Sequence, residues 1–251
     1  MDPTVLTSFG VLLVRPGMLI AAAPAWGGTY APAFVKAGLT MAIAVVLAGV
    51  VRVPATSGEA SLVLVVAREA LIGLSLALGI RALLAAAELA GYLAGFQIGF
   101  TYATVADPQS GVGSNILSSI YGLLALVVFI TADGHHAFLR ALTLSYDALP
   151  IGAGGVQPSL APQVARLLGL VFGLGVQMAA PILAVLVVVE LALGLLSRAA
   201  PSFNIMAEGF PIRIAVGLLT LAATLPLVPV LVSRSVPAVL ELGTRLAETC
   251  R

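Results

Sequence analysis

Long stretches without a charged residue dominate the chain. Five of them approach the length of about 20 mainly apolar residues that a helix needs to cross a lipid bilayer. These five runs are Pro16–Val35, Leu89–Ala106, Pro108–Ala132, Leu167–Val189 and Ile214–Ser233. Two further runs, Ala37–Val51 and Ala60–Leu84, are shorter or carry charges. The pattern predicts an all-α integral membrane protein with about six to eight helical segments.

The composition supports this fold class and excludes several functions. Hydrophobic residues make up 60% of the chain and charged residues 9%, far from the average soluble mixture. The 12 Lys and Arg residues nearly balance the 11 Asp and Glu residues, so no surface for nucleic acid is predicted. The single cysteine, Cys250, excludes an intramolecular disulfide. There is no Gly-rich phosphate loop and there are no paired carboxylates on one helix, so we predict neither an enzyme nor a bound cofactor.

Two of the apolar runs contain residues that disfavour an unbroken helix. Arg15-Pro16-Gly17 lies at the start of the first run, where we expect the helix to break. Asp107–Asn115 has the composition of a loop at apparent membrane depth. Irregular backbone is tolerated there only where it is buried in protein or lines a water-filled cavity, because lipid cannot satisfy its N–H and C=O groups. An ordinary aqueous loop between two spans is the alternative.

Charged residues also interrupt the apolar helices. A charge at the bilayer centre costs about 3 kcal/mol or more, so each should pair, reach the surface, or face protein or water. We predict contacts between subunits for Arg68, Glu69, Arg81, Glu88, Glu190 and Arg198. The alternative is that these residues mark helix ends at the lipid headgroups.

Small residues recur at helical spacing in Gly91, Gly95 and Gly99. A double Gly-xxx-Gly of this kind lets another helix backbone approach closely, which favours helix association in membranes. We therefore predict a packing and assembly seam along this stripe. Packing within the chain is the simpler alternative.

The only two histidines, His135 and His136, are adjacent in the sequence. Neighbouring residues on a helix diverge by about 100°, so the pair lacks the i,i+4 spacing of a helical zinc site. No metal site is predicted here. Asp133 is instead a candidate N-cap for the helix that follows.

A Gly- and Pro-rich stretch at 151–162 predicts a flexible link between two parts of the chain. The N-terminal multi-helix part covers 1–150, and a C-terminal helical hairpin covers 163–232. Pro181 is expected to kink the first helix of the hairpin, and the second is expected at about Pro211–Val232. The polar terminal segment 233–251 is expected to lie in water.

Several short motifs occur in an order that resembles one known family. In chain order they are Arg15-Pro16-Gly17-Met18-Leu19, Pro32–Lys36, Glu69-xxx-Gly73, Glu88–Gly91, Gly95–Gly99, Asp107-Pro108, Gly134-His135, Ser145-Tyr146, Pro150–Gly152, Pro181, Gly194-xxx-Arg198-xx-Pro201-xx-Asn204 and Gly209–Pro211. The set is similar to the FliR/SctT family of flagellar and type III secretion export-gate proteins. The Arg-Pro-Gly-Met opening resembles the flagellar branch.

That resemblance implies a non-catalytic, pore-forming subunit of an export gate in the bacterial inner membrane, within the basal body. One copy would assemble with several copies of FliP and FliQ homologues, and FlhB and FlhA homologues would be further partners. The N-terminal part would be built like FliP and the C-terminal hairpin like FliQ. Unfolded secreted proteins would pass through the assembly, which would be displaced toward the periplasm and contact membrane lipids.

The resemblance also implies a plug, a segment that projects into the closed pore and moves when substrate passes. The plug residues are Tyr102, Asp107, Pro108, Gln109, Ser110, Gly111, Val112, Gly113, Ser114, Asn115 and Ile116. Two alternatives remain open. One is an export-gate subunit of an injectisome, and the other is a self-contained polytopic transporter with broken helices at Arg15–Gly28 and Asp107–Asn115.

Overall fold

The computed structural model describes residues 3–23, 32–51, 59–100, 115–151, 160–200 and 208–248. These ranges contain eight α-helices and no β-strand, which confirms the predicted all-α class. The helices are α1 (Pro3–Ala22), α2 (Ala33–Ala48), α3 (Glu59–Ile98), α4 (Ile116–Thr131), α5 (Gly134–Ala148), α6 (Leu160–Ala199), α7 (Phe210–Thr224) and α8 (Leu227–Glu248).

Three stretches of helix in the described residues are long and apolar enough to cross a membrane. They are Leu62–Ile98, Ala161–Ala199 and Leu227–Leu246. Helices α4 and α5 form a pair bent by 69°, and they make a fourth span if the pair is counted as one. The chain is an integral membrane protein by this measure.

The chain folds into two compact units, and each unit draws on separate parts of the sequence. The first contains Met1–Leu83, Phe129–Gly169 and Ser235–Arg251. The second contains Leu84–Val128 and Leu170–Arg234. The boundary predicted at 151–162 does not coincide with this division and stays a prediction, and 152–159 lie outside the described residues.

In the first unit, helix α1 continues through Pro16, so the break predicted at Arg15–Gly17 is wrong. Proline removes the N–H that would bond the carbonyl of Leu12, four residues earlier. The Tyr146 hydroxyl donates a long hydrogen bond of 3.4 Å to that freed carbonyl. Side chains from α5 therefore help α1 to tolerate its internal proline.

Helices α1 and α3 approach closely at Gly73. A Cβ at this position would overlap the backbone carbonyl of Arg15 and lie 3.1 Å from the Cβ of Met18. Only glycine therefore fits here without a shift of one helix. The close approach brings the inner faces of the two helices together, and Leu12, Leu19 and Ile72 are fully buried.

The terminal segment predicted to lie in water is largely the helix α8, so that prediction is wrong for one face of it. Val236, Val239 and Leu246 are buried. A Cβ on Gly79 of α3 would lie 2.8 Å from the Val239 carbonyl, so the two backbones are in close contact. The opposite face of α8 is polar and exposed, since Glu241 and Arg245 pair there at 2.6 Å.

The second helix of the predicted C-terminal hairpin is interrupted. Helix α7 ends at Thr224, and α8 begins at Leu227 after a short turn. Pro226 in that turn has no N–H to continue the helical hydrogen bonds. Pro181 lies inside the continuous helix α6.

The contact at Gly73 predicts a specific loss of stability. Gly73→Ala should lower the free energy of unfolding by about 1–3 kcal/mol, because the methyl group overpacks against the α1 backbone. The midpoint of thermal unfolding in detergent should fall by at least about 2 °C. Gly38→Ala is the matched control, since nothing lies within 4 Å of a Cβ at that helical position. Equal midpoints for the two variants would contradict the close approach of α1 and α3.

Candidate functional site

A fully buried arginine lies at the centre of the first unit. The Arg15 side chain is 0% exposed, although guanidinium groups are almost always found at protein surfaces. Its Nε donates to Oε2 of Glu69 at 2.7 Å, and its Nη2 donates to Oε1 at 3.1 Å. This two-point pairing is the strong, directional form of an arginine–carboxylate contact.

The end of helix α5 completes the coordination of the same guanidinium. Arg15 Nη1 donates to Ser145 Oγ at 3.0 Å, and Nη2 donates to the Leu149 carbonyl at 3.0 Å. The carbonyls at a helix C-terminus lack partners within the helix and attract cations. The Tyr146 ring lies under the guanidinium, with 4.0 Å from Cζ to the ring centroid. That distance is within the range of a cation–π contact.

We call Arg15, Glu69, Ser145, Tyr146 and Leu149 the buried charge cluster. It joins α1, α3 and α5. Glu69 and Gly73 lie one turn apart on α3, so a single face supplies both the carboxylate and the space for the α1 backbone. The cluster holds no nucleophile beside a free base, and its chemistry is that of a structural clamp.

This cluster corrects the prediction that Glu69 pairs with another subunit. Both of its carboxylate oxygens bond Arg15 of the same chain, and the side chain is 0% exposed. The sequence prediction assigned Glu69 to a contact between subunits and missed Arg15, which is 54 residues away in the same chain. The available signal was an arginine within an apolar run, because such a charge requires a partner.

The other predicted inter-subunit charges have varied surroundings. Glu190 on α6 pairs with Arg213 on α7 at 3.1 Å, inside the second unit. Arg81 Nε donates to the Ala22 carbonyl at the end of α1 at 2.7 Å. Arg68 is half-buried and takes part in an interaction. Glu88 and Arg198 are exposed. Contacts with other subunits stay a prediction for Arg68, Arg81, Glu88, Glu190 and Arg198.

In the second unit, Gly91 and Gly95 face the start of α4 of the same chain, and the role of the stripe in assembly stays a prediction. A Cβ on Gly91 would overlap the backbone of Leu117, and a Cβ on Gly95 would overlap the side-chain amide of Asn115. Ser118 Oγ donates to the Glu88 carbonyl at 2.8 Å along the same seam. A larger residue in the stripe would therefore disturb the packing of α3 against α4 within the chain, whether or not the chain assembles with other proteins.

Asn115 connects the two helices that flank the predicted plug. Its Oδ1 accepts the N–H of Leu117 at 3.1 Å, which caps the start of α4. Its Nδ2 donates to the Tyr92 carbonyl of α3 at 3.1 Å. One side chain thus satisfies an orphan N–H of one helix and attaches that helix to its neighbour.

The other side of the plug is fixed by Gly99. This residue has a φ of +108°, a conformation that L-residues with a side chain rarely adopt. The N–H of Phe100 bonds the Gly95 carbonyl at 2.9 Å, which closes the end of α3 in the manner of a Schellman motif. A Cβ on Gly99 would lie 2.8 Å from the Phe210 ring. We call Gly95, Gly99, Phe100 and Asn115 the loop base.

Most of the predicted plug lies outside the described residues. This applies to Tyr102, Asp107, Pro108, Gln109, Ser110, Gly111, Val112, Gly113 and Ser114. Asn115 is buried in the loop base, and Ile116 is 64% exposed at the start of α4. The role of these residues as a plug stays a prediction.

Comparison with known proteins identifies the family. A family described as "Bacterial export proteins, family 1" matches residues 6–238. The chain is 35% identical over 217 residues to flagellar biosynthetic protein FliR of Pectobacterium carotovorum, covering 86% of this chain and 83% of the relative. The chain belongs to the FliR family of bacterial export proteins.

Two further FliR proteins show the same breadth of similarity. The FliR of Escherichia coli K12 is 34% identical over 219 residues, covering 86% of this chain and 83% of its own. The FliR of Bacillus subtilis 168 is 28% identical over 229 residues, covering 90% and 88%. The buried charge cluster and the loop base both fall within the residues that the FliR family matches. The family comprises components of a secretion apparatus and is not a family of enzymes.

The buried charge cluster predicts strong coupling between Arg15 and Glu69. Arg15→Met alone should lower the free energy of unfolding by about 3–5 kcal/mol, because it leaves a buried carboxylate without its cation. Combining it with Glu69→Met should recover much of that loss, since no uncompensated charge remains. Thermal unfolding in detergent, with the yield of membrane-inserted protein, measures both effects.

The exposed pair on α8 provides the control for that cycle. Arg245 and Glu241 are also an arginine–glutamate pair, but their side chains are 52% and 60% exposed. Removing either partner there should change stability by less than about 1 kcal/mol. If the Arg15 and Glu69 variants behave like this exposed pair, or if their effects are additive, the cluster does not clamp the helices.

Proposed function

We propose that the chain is the pore-forming subunit of the export gate of a flagellar-type, type III secretion system. Unfolded flagellar proteins would cross the inner membrane through this gate. Membership of a bacterial export family supports the general role, and the flagellar names of the similar relatives support the flagellar system. The proposed place is the basal body, with much of the assembly displaced toward the periplasm.

The loop base is the observation that carries the gating role. Residues 101–114 connect Phe100 to Asn115, and hydrogen bonds and close contacts hold both of these ends. A movable closure needs fixed attachment points, since otherwise its motion would spread into the helices. We assign the closure to the segment between the two ends, which contains Gly111 and Gly113.

The exposed apolar faces support assembly with other membrane proteins. The most apolar part of the span Ala161–Ala199 has a mean hydropathy of 2.5, and only 22% of this part is buried within the chain. Helices α2 and α7 have 16 and 15 residues, fewer than the roughly 20 that a single span requires. Short apolar helices are better accommodated among other protein helices than in lipid alone.

We therefore propose one copy of this chain with several copies of FliP and FliQ homologues. FlhB and FlhA homologues would be further partners, and lipid would cover the faces that remain. In this arrangement we propose that Arg68, Arg81, Glu88, Glu190 and Arg198 contact other subunits. Glu88 and Arg198 are exposed in the chain, on α3 and α6 respectively.

Deletion of Gln109–Ser114 tests the gating role. The deletion shortens the proposed closure and leaves Asn115 in place, so the complex should assemble and conduct small ions. Membrane depolarisation in cells, measured with a potential-sensitive dye, should increase relative to cells with the unmodified chain. Native electrophoresis of the extracted complex checks assembly.

A deletion of equal length provides the matched control. Removing Ala153–Pro158 also takes six residues from a segment outside the described residues, but it should leave the membrane potential unchanged. Unchanged conductance after deletion of Gln109–Ser114, in an assembled complex, would contradict the plug.

A further inference from the structure

Three potential metal ligands come together at the turn between α4 and α5. Asp133, His135 and His136 each offer one ligand atom, and these atoms all lie within 4.8 Å of one another. We propose that this turn binds a divalent transition-metal ion such as Zn²⁺. The proposal is independent of the gating role. We call these three residues the turn site.

The geometry of the turn site differs from the expectation for two adjacent histidines. The ring centroids of His135 and His136 lie 4.1 Å apart, so the imidazoles are side by side at the start of α5. Asp133 precedes them with a φ of 55°, and its carboxylate makes no cap hydrogen bond to α5. Its Oδ1 lies 3.1 Å from His136 Nδ1 instead. Asp133 therefore stands at the predicted cap position while its side chain is directed to the histidines.

An unpartnered ring nitrogen points to a ligand independently. His135 Nδ1 is buried and has no hydrogen-bond partner, one of four such side-chain atoms in the described residues. A buried polar atom without a partner is unfavourable, and a metal ion that binds His135 through Nδ1 would satisfy this nitrogen. The Asp133 and His136 side chains are 77% and 64% exposed on the chain, so no other part of the chain blocks the approach of an ion.

The donor set selects the class of metal. Two imidazoles and one carboxylate suit Zn²⁺, Co²⁺, Ni²⁺ or Cu²⁺, whereas Ca²⁺ and Mg²⁺ prefer oxygen ligands throughout. Zinc bonds of about 2.0–2.1 Å place neighbouring ligand atoms about 3.3 Å apart, so small rotations of the side chains suffice. Three protein ligands leave a position for water.

The backbone of the turn is held in place before any ion binds. A Cβ on Gly134 would overlap the Phe129 ring, with 2.8 Å to Cζ, so the glycine is packed tightly against the end of α4. The three ligands lie within four consecutive residues of this fixed turn. Binding therefore requires little ordering of the chain, which favours affinity.

Zinc binding by the purified chain tests the proposal. The full chain, with an affinity tag that contains no histidine, is titrated with Zn²⁺ in detergent against a chromophoric chelator. The background is small because the chain has only 2 His and 1 Cys. We expect one Zn²⁺ per chain and an affinity at least about tenfold weaker in His136→Gln, since even outer-shell changes cost that much.

Two groups of variants distinguish binding at the turn site from binding elsewhere on the chain. Asp133→Asn and His136→Gln change exposed side chains, so both should fold, and circular dichroism checks this. Cys250→Ser and Glu241→Gln are controls, and neither should change the affinity. Binding of Co²⁺ should produce visible absorption bands that His136→Gln abolishes. Binding that His136→Gln leaves intact, binding lost in Cys250→Ser, or less than one Zn²⁺ per chain would overturn the proposal.

Discussion

The ion pair between Arg15 and Glu69 is the interaction on which the first unit depends. A charged group removed from water is costly, and in a membrane protein no surrounding lipid can replace the lost hydration. Arg15 is therefore stable only where a carboxylate, a hydroxyl and a helix-end carbonyl converge on it. This requirement fixes where α1, α3 and α5 meet, since each helix supplies a different part of the cluster. Gly73 permits the approach, and Tyr146 bonds the carbonyl that Pro16 leaves free.

In the second unit, neutral groups of the loop base hold the helices α3 and α4 together. Asn115 satisfies the start of α4 and the backbone of α3 at once, and Gly95 provides the space for its amide. The left-handed Gly99 ends α3 on the other side of residues 101–114. Both ends of the segment that we assign to the gate are thus fixed by backbone geometry and hydrogen bonds. A gate attached in this way can move without unfolding the helices that carry it.

The sequence alone was sufficient for features that depend on local periodicity. Apolar runs predicted the all-α membrane fold, and the spacing of Gly91 and Gly95 indicated a face on which another helix can pack. The sequence alone did not predict features that depend on contacts between distant residues. Glu69 could not be assigned to Arg15, because helical spacing shows which face a residue occupies but not which helix packs there. For the same reason the segment 233–251 was expected in water, although the part of α8 within it has a buried apolar face.

Other errors arose from applying average helix behaviour to individual residues. Proline usually interrupts a helix, but a tyrosine from a neighbouring helix supports the backbone at Pro16. Adjacent side chains usually diverge, but His135 and His136 lie side by side in the first turn of α5. At Pro16 the local rule was sound, and a tertiary contact determined the outcome.

The apolar faces that the chain leaves exposed connect the structure to the proposed assembly. Phe172, Val188, Leu191 and Leu195 on α6 are all more than half exposed, so lipid or other subunits must cover this face. The most direct test is native mass spectrometry of the tagged chain, co-expressed with its genomic neighbours and extracted in mild detergent. The account predicts a large complex with one copy of this chain and several copies of two smaller helical membrane proteins. Recovery of the chain as a stable monomer or homodimer would contradict it.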